Sequence, residues 1–166
     1  MGEAKRRGGQ SERVAAARNK ALGNDPFVVA YEALFGMVRE VYRQTGGVNH
    51  ELIGLDFNDG KVSGVNVFVI EDESAKERIP GNIEAMLLKW PIVAHVMEAW
   101  ESPAEGIAPA EHPERKDIIA ITLHSIHAAR TASCEVDPQA CTVHKADLLP
   151  IEKLEGRLGR RFETRH

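Results

Sequence analysis

The chain has 166 residues, of which 43% are apolar and 28% charged, with a net charge of −4. That length suits one domain with a single core, and the composition is too apolar for a wholly disordered chain. No run approaches the ~20 unbroken apolar residues that a membrane-spanning helix requires, so a spanning protein is excluded and no membrane partner is expected.

The first predicted element is a weakly amphipathic helix from Ser11 to Leu22, preceded by Gly8-Gly9. Gly23-Asn24-Asp25-Pro26 then closes one element and opens the next, with Asp25 at the cap and Pro26 at the first helical position, where its missing amide proton costs nothing. Phe27, Tyr31, Leu34, Val38, Val41 and Tyr42 follow at three- and four-residue spacing. They predict an apolar stripe on a helix that Gly46-Gly47 ends. Beyond it the period changes to two. Ile53, Leu55 and Phe57 alternate, Asn58-Asp59-Gly60 tolerates positive φ, and Val62 to Ile70 continues in β-branched and aromatic residues, which together predict a β-hairpin. Ser74 to Ile79 predicts one or two helical turns broken by Pro80-Gly81. Asn82 then caps a short helix whose Ile83, Met86, Leu87 and Trp90 share a face, with Pro91 as its end.

Ile92 to Trp100 is apolar on both faces and reads as a central strand. A loop from Glu101 to Lys116 holds three prolines and four Glu, a length that in compact domains often serves function. Strands are predicted over Asp117–His127, Thr131–Val136 and, after an Asp137-Pro138-Gln139 turn, Cys141–Leu149. The expected fold class is α+β, with helices packed on one mostly antiparallel sheet of five or six strands. Residues 1–24 form a basic, weakly helical arm, 25–150 a single domain and 151–166 a basic C-terminal tail.

Charge follows the same division. Residues 1–20 set six basic side chains against two acidic ones, for +4, and 152–166 set five against three, for +2. The segment 21–151 holds ten basic and twenty acidic residues and carries −10. A field of that sign repels phosphate and steers toward a basic protein surface, so a protein partner is expected and nucleic acid only through the basic termini. The arm lacks aromatics for base stacking and reads first as a solvated tail attracted to the acidic body. Met1 to Gln10 is not followed by an apolar stretch with a cleavage site, so the expected location is cytoplasmic. Cys134 and Cys141 are too few to staple the chain, and a reducing compartment keeps them as thiols.

Glu98-Ala99-Trp100 at a strand end, a proline-containing loop, and His112-Pro113-Glu114-Arg115-Lys116-Asp117 leading into an Ile-rich strand form a further pattern. It resembles an uncharacterised group of small bacterial and phage proteins, in which an E-A-W strand end is followed by a D/H-P-x-R-K-E/D strand start. The resemblance covers residues 92–150, implies strand, loop and strand in a phage or bacterial setting, and carries no assigned activity.

The candidate binding residues are Glu98, Trp100, His112, Arg115 and Lys116. If the two strands are antiparallel neighbours, Glu98 and Trp100 share a face at one end of the sheet beside Arg115 and Lys116. One reading is an Arg115–Glu98 clamp, covered by the indole, that fixes where the loop leaves the sheet. The other is a site at the loop mouth in which Glu98 and His112 exchange protons. No catalytic residue is assigned, because no nucleophile or phosphate loop accompanies them.

His124, His127, Cys134, Cys141 and His144 fall close together, and Cys141-x-x-His144 has a spacing found at zinc sites. His124 and His127 are three apart on a predicted strand and point to opposite faces, and the cysteines are separated by six residues, so no metal or cofactor is expected. The cysteines are expected as small buried groups facing each other across the Asp137-Pro138 turn, with the histidines on a solvated face. Asp56-x-Asn58-x-Gly60 has the outline of a calcium loop, but Val67 occupies the required acidic position, which leaves a hairpin turn. The sequence thus leads to a small acidic interaction protein that binds a basic surface of a macromolecular partner, for example as an inhibitor of a host nucleic-acid-handling or defence complex. The alternatives are a virion or assembly component, and a hydrolase or transferase using Glu98 and His112.

Overall fold

The computed structural model describes residues 25–102, 112–151 and 162–164. The predicted arm, most of the long loop and most of the C-terminal tail lie outside the described residues. Three helices are described: α1 (Pro26–Thr45), α2 (Glu73–Glu77) and α3 (Ile79–Leu87). The strands are β1 (Glu51–Asn58), β2 (Lys61–Val69), β3 (Ile92–Glu101), β4 (Lys116–His124), β5 (Ala129–Asp137), β6 (Thr142–Val143), β7 (Leu149–Pro150) and β8 (Phe162–Thr164). The sheet runs β2-β1-β3-β4-β5-β6, every described pair is antiparallel, and the short β7 and β8 attach to β5 and β3. The α+β class and the antiparallel sheet agree with the sequence.

Helix α1 forms where its caps place it. The Asp25 side chain accepts the Phe27 N–H at 2.9 Å, and Gly46, at φ 73°, donates its N–H to the Tyr42 carbonyl. Residues on one stripe of the helix, among them Ala30, Leu34 and Val38, pack onto the sheet face that carries Ile53, Leu55, Ile92, Val96, Ile119, Ile121 and Leu123. Burying a side chain of this kind contributes about 1.5–3 kcal/mol. Both ends of α1 are tied to the sheet. Asp25 pairs with Arg130 of β5 at 2.7 Å, and that guanidinium lies over the Phe27 ring. At the other end, the Val48 N–H donates to Glu98 Oε1 at 2.8 Å.

The opposite face is covered differently. Ile83 and Met86 of α3 pack on Leu52 and Val93, with Leu87 and Trp90 partly buried beside them. Trp90 lies directly over Gly54, where an added Cβ would come within 2.3 Å of the indole ring. A glycine within a strand marks this kind of close approach.

Three expectations need correction. Pro80-Gly81 does not break the helical segment: α3 begins at Ile79 and takes Pro80 into its first turn, where no intrahelical N–H is needed. The strand predicted over Cys141–Leu149 reduces to the two-residue β6 and β7. The cysteines do not face each other, because register sets Val136 opposite Val143. Cys134 is buried beneath α1, 3.4 Å from the Tyr31 hydroxyl, while Cys141 sits in the turn at φ 51° with its thiol toward the Pro138 carbonyl. Both are free thiols.

Candidate functional site

Strands β3 and β4 pair in continuous register from Val93 opposite His124 to Glu101 opposite Lys116. Alternation along β3 then puts Glu98 and Trp100 on the α1 face at one sheet end, as the sequence expects. The structure joins Trp100 and Arg115: the guanidinium lies over the indole, 4.2 Å from its centroid, in cation–π geometry. Trp100 Nε1 is buried without a hydrogen-bond partner among the described residues. Glu98 receives the backbone N–H of Val48, and Gly47 allows that approach, since a Cβ there would stand 3.0 Å from Glu98 Oε1. One described role of this carboxylate is therefore to hold the connector between α1 and β1. Lys116 pairs with Glu135 across β4 and β5 at 2.9 Å, which raises the lysine pKa through the hydrogen bond and the charge of Glu135. His112 Nδ1 accepts the N–H of Glu114 within its own turn. The described contacts thus bring two of the five residues together and engage Glu98, Lys116 and His112 with other groups.

A second group of polar side chains lies on the other face. Leu52, His95, Thr122 and Thr131 stand opposite one another in one row across β1, β3, β4 and β5. His50, just before β1, brings its Nε2 to 2.6 Å from His95 Nε2, the two rings lying end to end and 23° from coplanar, with centroids 4.9 Å apart. His124 lies diagonally from His95 on β4. The two threonine hydroxyls meet at 2.9 Å. Burial, then the neighbouring His50 and His124, pushes the His95 imidazole down to about 4, and burial also lowers His124. His124 is therefore half-buried among these groups, whereas His127 and His144 are exposed as expected.

At a 2.6 Å separation one imidazole Nε2 donates and the other accepts, so a single proton occupies the space between them. The pair can hold or pass a proton, and a second proton at that contact would set two donors against each other. Among the described residues, no three His, Cys, Asp or Glu side chains are placed to hold a metal ion. Sequence reasoning missed His50 and His95. The available signal was a lone imidazole in the middle of the apolar run Ile92–Met97; its partner, 45 positions earlier, is visible only through register.

Between α3 and the β1–β2 hairpin, Leu52, Phe68, Asn82, Ala85, Met86, Lys89 and Trp90 line a pocket of about 330 Å³. Phe68 meets Trp90 edge-on at 5.7 Å. No helix among the described residues is long and apolar enough to cross a membrane. No protein-family model, curated protein or solved structure matches this chain.

Proposed function

We propose that this chain is a phage-encoded, cytoplasmic binding protein whose acidic body docks on a basic surface of a macromolecular partner. Blocking a host nucleic-acid-handling or defence complex is the form of action that fits such docking. The observation that carries this reading is that no Asp or Glu in residues 25–72, 74–102 and 112–151 is buried. Internal pairs such as Arg43–Glu40, Lys145–Glu32 and Arg130–Asp25 remove one charge of each sign, so they leave the surplus of ten carboxylates in residues 21–151 unchanged. Negative charge that stays near solvent accelerates encounter with a basic surface and disfavours competing anions. The likeness of residues 92–150 to small phage and bacterial proteins supports the genomic setting.

The test is a pull-down from host lysate at about 50 mM and about 500 mM salt, since exposed charges are screened within a few ångströms at the higher value. The expected result is a basic nucleic-acid-handling protein retained at low salt and released at high salt. Retention that ignores salt, or a partner without a basic surface, overturns the reading. Charge reversal at the exposed Glu77 and Glu84 should weaken the same capture. The hydrolase or transferase alternative draws no support from the contacts of Glu98 and His112. The assembly alternative draws on one specific feature, the open edge at β2.

A further inference from the structure

We propose that β2 is a homodimerisation strand, on which two copies of the chain add edge to edge, antiparallel, about a two-fold axis at Val67. Strand β2 ends the sheet, and among the described residues nothing pairs with its outer side. Its backbone orientation follows from register. Ile70 donates its N–H to the His50 carbonyl, so the even-numbered residues of this stretch face β1 and Val65, Val67 and Val69 turn their N–H and C=O groups outward. Such an edge is a template for another strand.

Three observations select a second copy as the occupant. First, residues 65–70 contain no charged residue and no proline, so charge and proline, two usual means of blunting an edge, are missing from this stretch. The register irregularity opposite Asp56/Phe57 leaves Ser63 of β2 without a partner, so the bulge lies toward the hairpin turn, just before Val65–Val69. Second, Val65-Asn66-Val67-Phe68-Val69 is nearly palindromic. An axis at Val67 sets Val67 against Val67, Val65 against Val69 and Asn66 against Phe68, as an isologous contact demands. All three valines, 37%, 47% and 50% exposed in the single chain, then share one face in a continuous row. Third, the same register carries Lys61 of each copy to the acidic Glu71–Glu73 end of the other, so the ends of the strand pair are complementary in charge. The exposed Phe68, at 47%, joins the opposite face next to Asn66 of the second copy. The outcome is one sheet running through two molecules.

The experiment measures the mass of the full-length chain by sedimentation velocity from about 1 to about 100 μM, a span that covers ordinary reversible dimers. The expected species has twice the 18.3 kDa of one chain. Val67→Lys sets two like charges against each other on the axis and should weaken association about a hundredfold or more. Its circular dichroism should be unchanged, because Val67 is already half exposed. Register is read separately by oxidation in a Cys141→Ser background. Val67→Cys should give a covalent dimer, Val65→Cys alone should not, and Val65→Cys with Val69→Cys should restore it, because paired strand residues lie within disulfide reach and residues four apart do not. A chain of 18.3 kDa throughout overturns the proposal. So does a dimer indifferent to Val67→Lys, or cross-linking through Val65→Cys but not Val67→Cys. If Val67→Lys fails to fold, the cysteine series decides alone.

Discussion

The two faces of the sheet are built on different principles. The face under α1 is closed by a 20-residue amphipathic helix tied down at both ends, and its core cluster contains no side chain that titrates in the acidic range. The face toward α3 is covered by a nine-residue helix and combines apolar contacts with a histidine pair, a threonine pair and a tryptophan resting on a glycine. The first face supplies most of the buried apolar contact. The second makes the molecule's stability depend on solution conditions.

The largest expected effect breaks the α1 face. Leu34 is fully buried in the middle of the helix stripe, and Leu34→Ala should cost about 3 kcal/mol through lost transfer energy and the cavity left behind. Urea denaturation at pH 7.5 measures it, and the loss should be nearly independent of pH.

The α3 face should show the opposite behaviour. The folded-state pKa of His95 lies near 4, below its ordinary 6.5, so between those values the unfolded chain binds more protons than the folded one. Stability is therefore fully present above about pH 6.5 and falls as the pH drops toward 4, by roughly 3 kcal/mol from this group. Denaturation midpoints across that window should show the slope, and His95→Leu should flatten it.

The smallest of these effects tests the tight approach of helix and strand. Gly54→Ala must displace Trp90 and should cost about 2 kcal/mol. Combining it with Trp90→Leu should recover part of that loss, a coupling that a double-mutant cycle reads directly.

The contrast also explains how much of the molecule is visible in its sequence. Helix α1 is readable because Asp25, Pro26 and Gly46 mark its ends and the stripe between them repeats regularly. The hairpin is readable from Asn58-Asp59-Gly60, with Asp59 and Gly60 both at positive φ. By contrast β6, β7 and β8 are two or three residues long, too short to show any period, and exist only because longer strands offer them an edge. Within the candidate site, alternation was enough to place Glu98 and Trp100 on one face. It could not show that Glu98 receives Val48, because that contact depends on where α1 ends against the sheet. The His50–His95 pair is hidden for the same reason.

Trp90 and Trp100 also stand in unlike surroundings: one rests on a bare backbone beside a pocket, the other beneath a guanidinium. The chain therefore contains two tryptophan fluorophores, one reporting on each side of the sheet. Replacing either with phenylalanine isolates the emission of the other, so spectral changes during unfolding would show whether the two layers separate together or in sequence.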